Sequence, residues 1–156
     1  MEESKAPVSG AFTPVALIFI LGLVGGIAVN LVLPVPIWPS VWVRLVGLAP
    51  LAVGAVLFAW ARSAFRRHQT SLMPWSPSTA LVQDGPYSFS RNPIYLAFCT
   101  MYLGVSLAFD SGYVLVMLLV VLVLFDRTQI PREERYLEAK FGEEFTRYKA
   151  KVRRWV

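Results

Sequence analysis

The sequence predicts an all-α fold: an integral-membrane bundle of four transmembrane helices with a cytoplasmic loop and amphipathic C-terminal helices. Three observations carry that prediction. The 156 residues are 56% hydrophobic and 16% charged, against about 45–50% and about 25% in soluble domains, and the mean hydropathy is +0.54. The charges are segregated, since Ala6 to Val43 holds no ionisable side chain and Arg44–Arg62, Arg91–Asp110 and Asp110–Asp126 bracket three more uncharged stretches. Each stretch also approaches the roughly 20 apolar residues that cross a hydrocarbon core, with a lower limit near 17. The 13% aromatic content excludes a disordered chain, and the single Cys99 excludes a disulfide framework. A soluble enzyme is excluded by the same composition, and the length suits one domain, residues 1–156.

The first span is expected at about 14–33, PVALIFILGLVGGIAVNLVL. Its apolar core is too long for a cleaved signal peptide, MEESK is not positively charged, and no small-x-small cleavage site follows, so it reads as a retained helix. The second is expected at about 42–62, with Trp42 and Trp60 suited to the interfaces. Pro93 opens the third, at about 93–110, and the fourth is expected at about 112–127. Its intensely apolar core Tyr113–Phe125 is short, about 20 Å at 1.5 Å per residue, and needs a turn from each flank.

Orientation follows from Lys and Arg in the short loops. Arg62, Arg66, Arg67 and Arg91 follow the second span, and most remaining basic residues lie from Arg127 onward. Arg44 stands alone between the first two spans, and the Asp110–Gly112 turn has no basic residue. A multi-pass protein with both termini and the middle loop in the cytoplasm is expected. The net charge of +5 reflects this asymmetry and attraction to the headgroups of membrane lipids, not a nucleic-acid partner.

Two segments are neither span nor tight turn. Arg66 to Asn92 contains Pro74, Pro77 and Pro86, which exclude a continuous helix, and Asp84-Gly85-Pro86 marks a turn. Leu72, Met73, Trp75, Leu81, Val82, Tyr87 and Phe89 make it too apolar for a linker, so it should fold back on the membrane or the bundle. In the tail, Pro131 suits the first turn of a helix, Glu133 and Glu134 suit its positive end, and Gly142 suits a left-handed cap. Ile130, Glu134, Leu137 and Phe141 share one face, which puts a carboxylate in line with an apolar stripe. A second helix after Gly142 would set Phe145, Tyr148, Val152 and Trp155 on one face and Arg147, Lys151 and Arg154 on the opposite one. That is the pattern of a basic helix lying along headgroups.

No metal centre is expected, because the lone His68 has no partner ligand at a useful spacing. Cys99 should simply pack within its span, and the phosphate-cradling glycine motifs are missing. What remains is a cytoplasmic cluster of Tyr87, Arg91, Asn92, Tyr95, Glu133, Glu134 and Tyr148. Such a set suits a zwitterionic small molecule: Arg and Asn hold a carboxylate, Glu takes an ammonium or a diol, and aromatic faces surround a cation. The pattern alone equally allows Arg91 to snorkel at the base of the third span and Glu133 to join Arg132 or Arg135 on a solvated helix face.

The run Gly85-Pro86-Tyr87-x-x-x-Arg91-Asn92-Pro93-x-Tyr95 is followed by Glu133-Glu134-x-x-Leu137-x-x-x-Phe141-Gly142-x-x-Phe145-x-x-Tyr148. Together they resemble the integral-membrane methyltransferases typified by isoprenylcysteine carboxyl methyltransferase and phospholipid N-methyltransferase. The likeness runs from Phe65 to Val156. It implies a membrane methyltransferase domain whose part from about 66 to 156 binds S-adenosylmethionine, with a lipophilic or lipid acceptor arriving from the bilayer. On that resemblance Tyr87, Arg91, Asn92 and Tyr95 would hold the methionine end, and Glu133 and Glu134 would bind or order the cofactor through its ribose or ammonium. Leu81, Val82 and Gly85 would lie against it, Tyr148 would complete the set, and Arg91 and Glu134 would be the catalytic pair.

Two departures stand out. Gln69-Thr70 occupies the place of a Gly-Thr pair in many relatives, and Asn92 the place of a His, and Asn cannot act as a general base. The implied reaction is methyl transfer to a hydrophobic or amphiphilic small acceptor at the cytoplasmic face, with carboxyl methylation first. Phospholipid amine methylation, or a non-catalytic four-helix scaffold, is the alternative. A carboxylate acceptor needs no base, whereas an amine must lose a proton to His68, Glu133 or Glu134.

Overall fold

The computed structural model describes residues 13–37, 40–70 and 78–156, and its regular elements are all helices, with no strand among the described residues. The N-terminal residues before Thr13, and Leu72, Met73 and Trp75 of the expected fold-back, lie outside the described residues.

Helix α1 spans Thr13–Val32, matching the first expected span. The second is interrupted: α2 covers Val41–Val46, and α3 runs Leu48–Arg67. The interruption has a local cause, because Pro50 has no N–H to offer the Val46 carbonyl and Gly47 tolerates the break. Helix α4 spans Pro93–Ala108 with proline in its first turn, and α5 spans Gly112–Leu124 with the Ser111 hydroxyl accepting from Val114 N.

The tail departs from expectation at Pro131, where no new helix begins. Helix α5 passes through a π-helical turn, Phe125–Gln129, into α6, Ile130–Phe141. The wider turn accommodates the missing N–H and the ring of Pro131 without a break. Helix α7, Glu143–Lys151, follows Gly142. Gly142 takes a positive φ of 53°, as expected of a cap, but its ψ of −124° lies outside the left-handed helical region.

Two antiparallel pairs form the bundle. Helix α3 packs on α4 at nearly backbone contact: a Cβ on Gly104 would sit 2.6 Å from Leu51 N, and one on Gly54 would sit 2.7 Å from the Ala97 carbonyl. Close approach through small residues is the usual way for helices to associate in lipid, where no hydrophobic drive acts between them. Helix α1 packs on α5 through Gly22 and Gly26, which face Val121 and Val114. The core between the pairs gathers Phe19, Tyr95, Tyr102, Val114, Val121, Phe125 and Ile130. The far end is closed by Asp110, whose carboxylate accepts Ile37 N at 2.8 Å, and by the Val35 carbonyl, which accepts Gly112 N.

Large apolar side chains face outward on α1, α3 and α5, among them Leu21 and Val24 on α1, Val53 and Val56 on α3, and Leu119 and Val123 on α5. Among the described residues two helical stretches are long and apolar enough to cross a membrane, Arg44–Arg67, which includes the break at Gly47, and Gly112–Phe141; Leu17–Val32 and Pro93–Ala108 are apolar but shorter.

Candidate functional site

The polar residues picked out by sequence converge where the chain after α3, the start of α4, the α5–α6 junction and the segment after α7 meet. A 3-10 turn, Gly85–Ser88, enters this region. Gly85 has φ of 59°, and a Cβ there would lie 3.2 Å from Trp60 Nε1 and 3.3 Å from Arg67 Nη2, so glycine lets the turn rest on the end of α3. The turn is clamped there by Asp84, which accepts from Arg67 Nη2 at 3.2 Å and pairs with His68 Nε2 at 2.9 Å. Slight burial opposes ionisation of Asp84, but those two partners outweigh it and hold the carboxyl below its ordinary range.

Val82 and Tyr87 are buried against Ala61 and Ala64 of α3. The Tyr87 ring meets Phe65 edge-on at 5.3 Å, and its carbonyl accepts Tyr148 Oη at 2.8 Å. Burial raises both phenols well above their ordinary pKa, so both are neutral. Val82 and Gly85 therefore belong to the loop's seat on α3, and Leu81 beside them is partly buried. Tyr87 and Tyr148 tie that loop to α7.

The charged centre is built from Arg91 and Glu134. Arg91 Nη2 lies 3.1 Å from Glu134 Oε1, with side chains only 11% and 10% exposed. Glu134 is buried on the same face of α6 as Ile130, so the carboxylate in the apolar stripe is a real feature of the fold. It is also held by a residue that sequence reading misplaced. Arg154 reaches Glu134 Oε2 through Nη2 at 2.8 Å and Oε1 through Nε at 3.3 Å. Its Nη1 lies 3.2 Å from Asp126 Oδ1, which also accepts Trp155 Nε1 at 3.0 Å.

The expectation that Arg154 and Trp155 continue an amphipathic helix is corrected here. Helix α7 stops at Lys151, and Val152 is extended with φ −116° and ψ 130°. The released chain turns Arg154 inward, away from Arg147 and Lys151. Phe145 and Tyr148 do share a face, but it is buried in the protein and does not lie along headgroups. The sequence offers no Gly or Pro to mark the stop. Asp126 had a readable signal, a lone carboxylate closing an apolar run.

The segment after α7 also holds the Ser90–Asn92 loop. Arg91 N donates to the Arg153 carbonyl at 3.0 Å, and Asn92 Nδ2 and Ser90 Oγ donate to the Arg154 carbonyl at 3.0 and 3.4 Å. The Asn92 side chain is thereby committed to the chain itself. Glu133 lies beside this network on α6, past the apolar run that ends at Phe125, and Tyr95 Oη donates to its Oε2 at 3.2 Å. Burial, with the neighbouring Glu134 charge and against the Tyr95 hydrogen bond, raises its pKa from 4.5 to about 7.

One feature is unfilled. Arg91 Nε and Nη1 are buried and have no hydrogen-bond partner among the described residues. Buried donors in that state cost about 1–3 kcal/mol or more, and Nε and Nη1, which lie on different edges of the guanidinium, each suit one oxygen of an anionic group such as a carboxylate or phosphate. Among the described residues no group of His, Cys, Asp and Glu could hold a metal ion.

The phospholipid methyltransferase family profile matches residues 42–144. A Haemophilus influenzae protein described as uncharacterized is 51% identical over 57 residues, 36% of this chain and 81% of that protein. The protein-S-isoprenylcysteine O-methyltransferases of Saccharomyces cerevisiae and Schizosaccharomyces pombe are 40% and 33% identical, each over 72 residues. Those matches cover 46% of this chain and 30% of each enzyme, so the chain spans under a third of the yeast proteins. No solved structure matches.

Proposed function

The chain belongs to the phospholipid methyltransferase family, whose match covers well over half of it, and on that premise we propose that it methylates a lipophilic small acceptor using S-adenosylmethionine. Membership makes it a membrane methyltransferase. The reading adds the donor, the acceptor class and a site on the cytoplasmic face of a four-span bundle with both termini inside. The observation that carries it is Arg91, a buried guanidinium with one donor on Glu134 and two left free.

Arg91 would hold the methionyl carboxylate through a donor that Glu134 leaves free, Nε or Nη1. Glu133 would meet the ammonium, and charging it beside a cation relieves the burial that keeps it protonated near neutral pH. Tyr95 Oη fixes that carboxyl from α4. When bound, S-adenosylmethionine supplies a methyl group on a sulfonium already activated toward displacement. The protein then contributes position and exclusion of water, and Phe125 and Ile130, buried in the same cluster as Tyr95, favour that exclusion.

Carboxyl methylation is the first reading for the acceptor. A carboxylate needs no base, and the two yeast relatives carry the name of O-methyltransferases. An amine acceptor is the second reading, in which Glu133 would face the acceptor and not the cofactor's ammonium, its pKa of about 7 suiting it to accept a proton. In either case the apolar outer faces of α3 and α5 suit an acceptor whose tail stays in hydrocarbon, each buried methylene contributing about 0.8 kcal/mol.

The test is incubation of the purified protein in bilayer discs with labelled S-adenosylmethionine and a native lipid extract. Saturable cofactor binding and a labelled lipophilic product are expected. Absence of both would overturn the reading in favour of a non-catalytic membrane scaffold.

A further inference from the structure

We propose that Arg154 is a positioning residue, which acts through Glu134 to fix the direction in which Arg91 presents its two free donors. The inference rests on the reading above, in which those donors receive the cofactor's carboxylate. It makes the extended segment after α7 a working part of the cofactor site.

A guanidinium alone with a carboxylate tends to make two parallel hydrogen bonds, fork to fork. Arg91 does not, and the structure gives the reason. Arg154 already takes that side of Glu134, with Nε on Oε1 and Nη2 on Oε2. Only an end-on approach to Oε1 is left, and Arg91 Nη2 makes it. Nε and Nη1 are consequently left over, buried and unpaired. Without Arg154, Arg91 could turn a full edge onto Glu134, Nη2 with either Nε or Nη1, and would keep one donor fewer to offer a ligand.

Arg154 is anchored independently of Glu134. Asp126 Oδ1 receives Arg154 Nη1 and Trp155 Nε1 together, which ties the segment to the π-helical turn. The same segment grips the other side of the site by its backbone, through the Arg153 carbonyl to Arg91 N and the Arg154 carbonyl to Asn92 Nδ2. One short stretch thus sets both where the Arg91 backbone lies and what its side chain faces.

The experiment measures binding of labelled S-adenosylmethionine to the full chain in bilayer discs for wild type, Arg154→Ala, Arg154→Lys, Glu134→Gln and the double variant Glu134→Gln/Arg154→Ala, with thermal stability recorded for each. Arg154→Ala should weaken binding at least tenfold, about 1.4 kcal/mol. Arg154→Lys should recover part of the loss, because an ammonium meets one carboxylate oxygen but not both. In the Glu134→Gln background, Arg154→Ala should add less than twofold, since its effect runs through Glu134. Arg147→Ala removes an exposed positive charge from α7 and should leave affinity unchanged.

A folded Arg154→Ala that binds as wild type overturns the inference. So do losses that multiply in the double variant, the signature of a purely structural role. If Arg154→Ala does not fold, Arg154→Lys carries the same comparisons. A wild type that binds no S-adenosylmethionine overturns the proposed cofactor site, and a wild type that binds with indifferent variants overturns the positioning role alone.

Discussion

Replacing Arg91 by Lys separates charge from geometry at the site. The side chain is 11% exposed, makes one contact with Glu134 and keeps two donors free. Lysine preserves the positive charge and can still reach Glu134, but it lacks the planar guanidinium that keeps one donor on Glu134 while fixing the direction of the others toward a ligand. A hydrogen bond to a charged group contributes about 1.5–3 kcal/mol. Loss of one such bond, with partial compensation by water, predicts a ten- to hundredfold rise in the dissociation constant, about 1.4–2.8 kcal/mol. Glu134 retains Arg154 at 2.8 Å, so the fold should persist and thermal stability should change little. The assay is equilibrium binding of labelled S-adenosylmethionine to both proteins in bilayer discs. A folded Arg91→Lys variant that binds within threefold of wild type would show that the free donors do not face the ligand, and the cofactor orientation argued from them would be wrong.

Four further outcomes are expected. Between about pH 5 and 7, cofactor affinity should rise with pH, because the cation favours ionised Glu133, whose pKa without it is about 7; Glu133→Gln should flatten the profile, and an unchanged slope would exclude Glu133. The folded state holds this proton more tightly than the unfolded chain, so the Glu133 contribution to stability is complete below about pH 4.5 and lost as pH rises through about 7; denaturation of the ligand-free protein, compared with Glu133→Gln, checks the sign. Gly104→Val should destabilise the bundle by about 1–3 kcal/mol, since a Cβ there would sit 2.6 Å from Leu51 N, and equal unfolding midpoints would contradict that packing. Among acceptors sharing one reactive head, kcat/KM should rise with tail length; equally efficient short, water-soluble acceptors would exclude access from the bilayer.

Much of this protein is decided by local pattern. The apolar runs that became α1, α3, α4 and α5 are legible because hydropathy is a property of neighbouring residues. The carboxylate in the apolar stripe of α6 is legible because helical periodicity alone places Glu134 beside Ile130. The Gly-Pro-Tyr, Arg-Asn-Pro-x-Tyr and Glu-Glu motifs mark the family for the same reason. Tertiary structure decided the rest. Pro131 reads as a helix start, yet the π-helical turn before it lets α5 run into α6, an adjustment no propensity encodes. Arg154 reads as one more basic residue on a solvated face. Its two acidic partners, Glu134 and Asp126, lie 20 and 28 positions away in the chain, and no short-range pattern connects such residues. The same holds for Arg91, whose charge is written in the sequence while its two unpaired donors are not. Arg154 occupies the side of Glu134 on which Arg91 could otherwise place a second donor, and that competition exists once packing brings three separate segments into one buried place.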